Sequence, residues 1–587
     1  MAEKIISPGV FTNEIDQSFL PAAIGEIGAV VIGPTVKGPA LVPTVVSSYG
    51  EFQEKFGSTF KSGSAYYTYL TSVTAQNYLK NSGRLTVVRT LAGSYAAASA
   101  EISASVGSGA DKSFTLHHLS HGSSSNNIID KSLLPTTNNT LPSGTKDNIR
   151  YEISSVNDKK GTFTLLIRSG NDTIKRKNVL ETWNNLSLDP NQKNYIGKMI
   201  GDTDLQFKSD DGYYVKPVGQ FPNKSKYVRV SNVKDTIDYL DENGSVRIGA
   251  ASASLPALGS GSTHGGFSGG SDGDTATGPD KFYDGITAAA NVQGLNLTIG
   301  QTGHTAYLNA LNLMSNQDEY DINMILIPGV INGITGPSAI VNKAIQVCED
   351  RGDAFAVVDP VIYGSTISAA TTEAETYDSN YASMYWPWVQ VPENELGKNV
   401  WVPPSAVIPG IYAFNDKVAH PWFAPAGLNR GGIDVAVQAE RKLTQGNRDT
   451  LYDSNVNPIA TFPGQGVCVW GQKTLQKKSS ALDRVNVRRL MIAVKKFIAS
   501  TSRFLVFEQN NPATRKKFLN VVNPYLEQVQ ANSGLSAFKV VMDDTNNTPD
   551  VVDRNILYGQ LFLQPTRTAE FVVLDFTVQP TGATFPE

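Results

Sequence analysis

Three of the six histidines in this chain of 587 residues lie together in one stretch, LHHLSHG. They are His117, His118 and His121, and imidazole nitrogen is a common metal ligand. A zinc site usually combines histidines with cysteines or carboxylates at set spacings, and no such residues accompany these three in the sequence. The stretch is more typical of a strand followed by a glycine turn, and we expect no metal site.

Two further stretches contain residues that bind phosphate or calcium in other proteins, but neither has the required context. The glycine-rich run at 259–273 follows a loop, whereas a phosphate-binding loop follows a strand and begins a helix. The acidic run at 543–550 lacks the glycine and the terminal glutamate of an EF-hand. There is also no nucleophile elbow and no carboxylate pair of the glycosidase type. We therefore predict that the protein is not an enzyme, has no catalytic residues and uses no cofactor.

One chemical feature stands out, a concentration of positive charge at residues 473–517 that we call the basic segment. It has twelve basic and two acidic residues, a net charge of +10; because the whole chain carries −4, the remainder carries −14. Such segregation indicates an anionic partner surface. Aromatic residues are not interleaved as base stacking would require, so a protein surface is favoured over nucleic acid.

Size and composition indicate several ordinary globular domains. At 63.2 kDa the chain is too long for one hydrophobic core, so roughly three or four domains are expected. Its two cysteines, Cys348 and Cys468, are far apart in the sequence, which favours a reducing compartment. The N-terminus lacks the pattern of a secretion signal, and no apolar run reaches the ~20 residues that span a bilayer. We expect cytoplasmic synthesis and no membrane contact.

The elements that would position these groups alternate between strand and helix on both sides of a β-rich stretch. Buried strands are predicted at 29–39, at 84–91 and twice more after residue 320, and their order with the helices implies right-handed parallel crossovers. Short strands dominate from 113 to 247, and a Gly/Ser-rich stretch too polar to pack follows at 248–278. The pattern predicts an α/β layer with a β-rich insertion.

Two helices with a shared apolar side are predicted around the basic segment. Apolar residues at helical spacing predict a helix at 482–502, and Asn511 as N-cap with Pro512 at the first helical position begins another. A strand is predicted between them at 503–510. The residues expected to face the core are Leu490, Val494, Phe497, Phe518 and Val522.

A lone strand is predicted almost at the start of the chain, in SPGVFTNEID at 7–16. A single strand has no stability of its own, so it needs a sheet in its own fold or in another molecule. The segment at 570–580 is extended in the same way, with alternating apolar residues. The strand residues are Val10, Phe11, Thr12, Asn13, Glu14 and Ile15 at one end, and Val572, Leu574, Phe576 and Val578 at the other.

Several segments of the sequence resemble those of a known family. SPGVFTNEID is similar to the N-terminal motif of contractile phage tail sheath proteins. Later landmarks follow in the order found in that family: MYWPWVQV, WVPPSAVIPGIYAFND, GQKTLQKKSSALDRVNVRRL and RFLVFEQNNPATRKKFLNVVNPYLEQV. The resemblance covers nearly the whole length and is most specific from about 384 to 566. The VFEQNN stretch departs from the Pro-Asn-Asp version that is more usual there.

The resemblance implies a structural role in a phage tail. Sheath subunits stack as helical rings around a tail tube, and they contract to drive the tube through the host cell envelope during genome delivery. The implied partners are other sheath subunits, the tail tube protein, and the baseplate and tail terminator proteins, with no nucleic acid. The implied location is the virion, after assembly in the host cytoplasm.

The family also implies roles for the predicted segments. The terminal arms complete β-sheets of neighbouring subunits, the insertion decorates the outside, and the C-terminal domain faces the tube. We therefore expect a multidomain protein of α/β and α+β type, with α/β core domains, a β-rich inserted outer domain and extended arms at both ends. The boundaries are an N-terminal arm at 1–24, a middle α/β domain at 25–95 and 279–400, the insertion at 96–278, the C-terminal sheath domain at 401–568, and a C-terminal arm at 569–587.

Six basic residues are predicted to include the tube contacts: Arg488, Lys495, Lys496, Arg515, Lys516 and Lys517. Two other functions are weighed against this one. A tail fibre or spike that binds receptors or cleaves glycans would predict β-helix repeats and a carboxylate pair, and the sequence has neither. A nucleic-acid-binding protein is supported by the basic segment alone.

Overall fold

A computed structural model of the chain describes residues 28–62, 65–105, 111–127, 148–173, 175–247, 254–263, 265–274 and 283–571. Within these ranges there are 23 strands and 11 α-helices, together with 3₁₀ turns at Ser123–Ser125, Pro404–Ala406 and Ala481–Asp483. The predicted arm strands at 10–15 and 572–578 lie outside the described residues.

The elements before the β-rich stretch are β1 (Gly28–Gly33), β2 (Thr44–Val46), α1 (Tyr49–Phe56), β3 (Thr59–Ser62), β4 (Ala65–Thr68), α2 (Leu70–Leu79) and β5 (Leu85–Arg89). Those within it are β6 (Ala97–Ser103), β7 (Lys112–His121), β8 (Ile149–Asn157), β9 (Thr162–Ser169), β10 (Val179–Ser187), α3 (Ile196–Ile200), β11 (Asp204–Lys208), β12 (Tyr214–Val218) and β13 (Val228–Ser231).

The next elements are α4 (Thr302–Leu313), β14 (Ile322–Ile331), α5 (Pro337–Arg351), β15 (Phe355–Asp359), α6 (Ile367–Ala374), β16 (Ala382–Trp386), β17 (Val389–Glu393), β18 (Lys398–Val402), α7 (Ile408–Val418), β19 (Gln438–Ala439), α8 (Gln445–Asp453), β20 (Val456–Phe462) and β21 (Gly466–Val469). The last are α9 (Val485–Arg503), α10 (Pro512–Ala531), β22 (Leu535–Val541), α11 (Pro549–Asp553) and β23 (Gln560–Pro565).

The main sheet has eight strands in the order β2-β5-β1-β14-β15-β16-β20-β21. The six strands from β5 to β20 are parallel, and the edge strands β2 and β21 are antiparallel to their neighbours. In β1, Ala29 and Val31 share an apolar cluster with α1, α2, α7 and α9, whereas Val30 and Ile32 share another with α4, α5, α6 and α8. Strands buried on both faces are typical of a layered α/β fold, which confirms the predicted fold class.

The sheet joins two parts of the chain that are far apart in sequence. β1 pairs with β14, with Ala29 opposite Met324 and Val31 opposite Leu326, while β5 lies on its other side. The connection from β5 to β14 therefore contains all of the β-rich stretch. Further along, the predicted boundary at residue 400 falls between β16 and β20, which are paired neighbours in this sheet. The division of the chain into domains stays a prediction.

The carboxyl edge of the sheet between β1 and β14 is filled by the chain itself. In doubly wound folds this point, where the strand order reverses, is the usual ligand crevice. Here Gln293 is buried; its Oε1 accepts from the Leu70 N–H (2.9 Å) and its Nε2 donates to the Pro328 oxygen (3.0 Å). The side chain thus links the start of α2 to β14.

The strands of the β-rich stretch form small sheets of their own. Two have three strands, in the orders β10-β9-β8 and β13-β7-β6, and β11 pairs with β12. Their apolar side chains make a separate cluster, in which Phe114 stacks on Phe163 with ring centroids 5.6 Å apart. At the junction with the main sheet, Nη1 of the buried Arg89 donates to the oxygens of Gly38 (2.7 Å) and His121 (2.6 Å).

A third unit, which we call the C-terminal module, comprises residues 485–565 with helices α9, α10 and α11 and the strands β22 and β23. Leu490, Val494, Phe518 and Val522 are buried in its core, as predicted. Phe497 is half-buried, and its ring stacks on that of Tyr525. The predicted N-cap is also confirmed, because the Asn511 side chain accepts from the Thr514 N–H (2.9 Å).

The strand predicted at 503–510 is wrong. Helix α9 continues to Arg503, and the chain then turns until α10 begins at Pro512. Leu505 packs on the core of the C-terminal module, but Phe504 is 72% exposed and Phe507 is fully exposed, with a positive φ of 70°. A short apolar run indicates a strand only where a partner strand is available, and no described strand pairs with this one.

A buried carboxylate connects the main sheet to the turn before α7. Asp359, the last residue of β15, accepts from the N–H of Ser405 (3.0 Å) and from its hydroxyl (2.5 Å). Burial raises the pKa of Asp359 from 3.8 to about 6, although the hydrogen bonds from Ser405 oppose this rise. In the folded protein the charged form is therefore less favourable than in the unfolded chain.

This raised pKa predicts that Asp359 makes the fold less stable as pH increases. Its contribution is greatest below pH 4, declines as the pH rises to about 6 and is constant above that. We expect the free energy of unfolding of the wild type, relative to that of Asp359→Asn, to fall by on the order of 3 kcal/mol between pH 4 and pH 7. Urea denaturation followed by the fluorescence of the buried Trp386 and Trp388 measures it.

The control for this prediction is Asp350→Asn, which changes an exposed carboxylate on α5. Its free energy of unfolding should follow the wild type at each pH. A wild type and an Asp359→Asn variant that respond identically to pH would contradict the prediction.

Candidate functional site: the basic segment and the C-terminal module

Helix α9 belongs to two cores at once. Val485 and Ile492 pack in the cluster beneath the main sheet, and Leu490 and Val494 pack in the core of the C-terminal module. The helix has 19 residues, so its successive turns can present apolar side chains in different directions. The basic residues of the segment therefore lie along the joint between the two units.

Two arginines of the basic segment attach α9 to the main domain. The guanidinium of Arg488 lies 4.1 Å from the centre of the Tyr381 ring, and its Nη1 donates to Asn380 Oδ1 (3.1 Å). Arg489 Nη2 is 2.5 Å from Asp416 Oδ2. Both arginines are at least 95% buried, so in this subunit they contribute to packing and not to a free surface.

Other cations of the segment also pair with acids from elsewhere in the chain. Lys496 Nζ lies 2.5 Å from Asp321 Oδ1 and 3.3 Å from Asp353 Oδ2, and the Lys496 side chain is only 8% exposed. Arg515 is buried against Asp544, with Nε donating to Asn510 Oδ1 (2.9 Å). The +10 charge counted along the sequence is thus partly neutralised in space.

The six predicted tube-facing residues fall into two groups. Arg488, Lys496 and Arg515 are engaged within the subunit, as described above. Lys495, Lys516 and Lys517 are exposed; the first lies near the C-terminal half of α9, and the other two lie in the first turns of α10. All three exposed lysines thus belong to the C-terminal module. Their contact with a tail tube stays a prediction.

The acidic partners are residues that the sequence analysis did not identify. Asp321 is 175 positions from Lys496, and Asp416 is 73 positions from Arg489. No local spacing could have paired them, because each acid lies outside the helix that contains its cation. The one available signal was the charge balance. Because the chain outside the basic segment carries a net charge of −14, some of its acidic residues could be expected to pair with the cations of the segment.

The two strands of the C-terminal module form a small open sheet. β22 and β23 form an antiparallel pair with Phe538 opposite Leu563, and these two side chains pack on the module core. The next residues along, Lys539 and Phe562, face outwards, and Phe562 is 56% exposed. In the described part of the chain no third strand joins this pair. Unpaired strand edges are templates for a further strand.

The three clustered histidines lie at the junction with the β-rich stretch. They belong to β7, which ends at His121 and is followed by a turn at Gly122, as expected. His118 Nδ1 accepts from the Ser120 N–H (2.9 Å) and His121 Nδ1 from the Ala40 N–H (3.1 Å). Burial, with nearby cations, lowers the pKa of His118 to about 3 and that of His121 to about 4, so both rings are neutral at physiological pH.

In the ranges that the structure describes, no group of three or more His, Cys, Asp or Glu side chains is arranged to hold a metal ion. The helices in those same ranges include none with the length and apolar character of a membrane span.

Comparisons with known proteins give two family matches in the second half of the chain. The family described as phage tail sheath protein central domain matches residues 299–475, and the phage tail sheath C-terminal domain matches 477–579. The tail sheath protein of Vibrio phage KVP40 is 31% identical over 316 residues, which are 54% of this chain and 45% of that protein. That of Enterobacteria phage T4 is 30% identical over 298 residues, 48% of this chain and 45% of that protein.

The matched region thus spans less than half the length of both relatives. Among solved structures, the sheath tail protein from Listeria innocua superposes with a TM-score of 0.49 and 11% identity, covering 89% of this chain and 90% of that one. Such a superposition carries no functional argument. The two adjoining domain matches and the related sequences do: residues 299–475 and 477–579 are similar to the central and C-terminal domains of phage tail sheath proteins.

Proposed function

We propose that this chain is a structural subunit of a contractile phage tail sheath. It polymerises as helical rings around the tail tube and contracts to drive the tube through the host cell envelope during genome delivery. The observation that carries this proposal is the match of the central and C-terminal sheath domains, one after the other, at residues 299–475 and 477–579. The subunit acts without catalysis or a cofactor, as part of the virion, after assembly in the host cytoplasm.

The partners follow from this role. They are further copies of the chain, the tail tube protein, and the baseplate and tail terminator proteins at the two ends of the tail. The main α/β domain, with its sheet covered on both faces, serves as the rigid body of each subunit. The β-rich insertion, predicted at 96–278, has a separate core and decorates the outside of the polymer.

The open β22–β23 pair supports strand exchange between subunits. An added strand gains affinity from main-chain hydrogen bonds and specificity from alternate side chains. About five such bonds at about 1 kcal/mol each exceed the worth of a typical surface contact, and an extended arm of about 20 residues reaches ~65 Å. The segments at 10–15 and 572–578 are the strands we assign to this exchange, so subunits stay linked while their bodies move.

The exposed lysines of the module support a contact with the tube. Exposed ion pairs contribute only ~0.2–1 kcal/mol each. A few per subunit, summed over many subunits, keep the sheath on the tube, and each subunit can break its own few pairs when the sheath contracts. Because Arg488, Lys496 and Arg515 are engaged within the subunit, we assign this contact first to Lys516 and Lys517, and then to Lys495.

The proposal predicts that the N-terminal arm is needed for assembly and not for folding. The purified wild-type chain should form tubes or polysheath under the electron microscope. A variant without residues 1–20 should remain a soluble monomer whose melting temperature lies within about 2 °C of the wild type, because the proposal assigns this arm to the sheet of a neighbouring subunit. Ordered tubes from the truncated chain would contradict the strand-exchange proposal, and a wild type that forms no polymer would contradict the proposed function.

A second prediction concerns the tube contact. Reversing two charges with Lys516→Glu and Lys517→Glu should leave folding and subunit pairing intact, because both side chains are exposed. Co-expressed with the tube protein, the variant should give empty sheath polymer and bare tubes. Electron microscopy at several salt concentrations measures it.

The matched control is Lys159→Glu with Lys160→Glu, also two adjacent exposed lysines, on the β8–β9 turn of the insertion. This control should give wild-type sheath on tubes. Normal sheath on tubes from the Lys516→Glu/Lys517→Glu variant, with unchanged salt sensitivity, would show that these lysines are merely solvated.

A further inference from the structure

Glu570, close to the last described residue, is held by donors from three side chains. Arg484 binds it with both ends of its fork: Nε lies 2.7 Å from Oε1 and Nη2 lies 3.0 Å from Oε2. The Tyr452 hydroxyl donates to Oε2 (2.9 Å), and Gln472 Nε2 lies 3.1 Å from Oε1. Paired, charge-assisted bonds of this kind are stronger and more directional than ordinary ones.

The position of this pair in the chain is unusual. Arg484 is the residue immediately before α9, and Glu570 follows β23, so the pair joins the two points at which the C-terminal module begins and ends. The two residues are 86 positions apart. Tyr452 and Gln472 belong to the main domain, at α8 and just after β21. This ion pair therefore closes the module at its neck, where the Val485 N–H also donates to the Gln472 oxygen (2.8 Å) of the main domain.

On the β23 side of this neck the chain has few other attachments, and one of them is the bond from the Thr566 N–H to the Gly534 oxygen (3.2 Å). Residues 566–571 have neither helix nor strand structure, and Arg567, Thr568, Ala569 and Phe571 are exposed. The Glu570 side chain is only 18% exposed. A second bond, from Gln472 Nε2 to Thr568 Oγ1 (2.8 Å), supports the same point. Glu570 is thus the main side-chain attachment of this segment to the body of the subunit.

The chemistry of the pair keeps it charged. Burial alone would raise the pKa of Glu570, but the hydrogen bonds from Arg484, Tyr452 and Gln472 outweigh it, and the pKa lies below its ordinary value. Tyr452 shows the converse effect, since burial and the charge of Glu570 raise the pKa of its hydroxyl. It therefore stays a donor to the carboxylate at physiological pH.

We propose that Arg484 and Glu570 form a latch that closes the neck of the C-terminal module and fixes the point and direction from which the C-terminal arm leaves the subunit. The inference rests on the proposed function, because it takes residues 572–587 to be the exchange arm. Glu570, Arg484, Tyr452 and Gln472 are then positioning residues for subunit linkage, although none of them contacts the neighbouring subunit in this account.

The test uses the full-length chain with Glu570→Gln, which removes the charge and keeps the shape. Hydrogen exchange of the Val485 and Thr566 amides, which donate to the oxygens of Gln472 and Gly534 at the neck, should accelerate at least tenfold in the monomer. The protein concentration needed for tube formation should rise about tenfold. The control is Asp550→Asn, which neutralises the exposed Asp550–Arg554 pair of α11 in the same module. It should change neither quantity.

A double-mutant cycle separates the latch from two independent side-chain effects. Arg484→Gln should cause the same losses as Glu570→Gln, and the double variant should be no worse than either single one, because one interaction is removed in each case. Arg484→Lys, which keeps the charge and loses the fork, should give an intermediate loss and serves if Arg484→Gln fails to fold.

The outcomes separate this inference from the function on which it rests. Unchanged exchange in Glu570→Gln would overturn the latch. Faster exchange with wild-type assembly would overturn its role in positioning the arm. If the wild type itself forms no tubes, the proposed function fails, while the exchange measured on the monomer still decides whether the latch exists.

Discussion

The parallel pairing of β1 with β14 is the contact on which the rest of the fold depends. It brings the first described strand against one that begins almost 300 residues later, and it closes the main sheet across the whole β-rich insertion. Loop-closure cost rises only slowly with length, so a long connection at this point is tolerated if the pairing itself is strong. The apolar layers on both faces of these strands provide that strength.

The same arrangement places a buried side chain at the point where doubly wound sheets usually have their ligand site. The crevice between β1 and β14 is where such sheets commonly bind nucleotides. Gln293 occupies it and satisfies the N–H that begins α2 and a carbonyl of β14. The position that other α/β proteins use for chemistry is here used to fix the return of the chain from the insertion.

Local patterns in the sequence predicted much of this fold. They did not predict the ion pairs between residues that are far apart in the sequence. The apolar runs of β14 and β15, the helical spacing in α9 and the cap at Asn511 are short-range signals, and the structure confirms them. The stretch at 503–510 has a strand-like composition, but its conformation depends on whether a partner is present. The pairing of Lys496 with Asp321, 175 positions away, is a property of the folded chain alone.

The candidate site shows the same division between local and distant information. The exposure of Lys516 and Lys517 follows from their positions on an amphipathic helix, which the sequence contains. Arg488 and Lys496 are buried because the main domain packs against α9. The residues that bury them are far from α9 in the sequence, so local patterns could not predict this. A cluster of cations therefore predicted a charged region correctly while leaving open which of its members face outwards.

Helix α9 has a mechanical consequence because its side chains are shared by two cores. It is a rod of about 28 Å that is attached to the main domain along its length, through Val485 and Ile492 in its first half and through the ion pairs of Lys496 and Arg503 in its second half. A rod attached in this way follows the main domain as one piece. A tilt of the subunit body by about 10° about the start of α9 therefore moves the α9–α10 turn by about 5 Å.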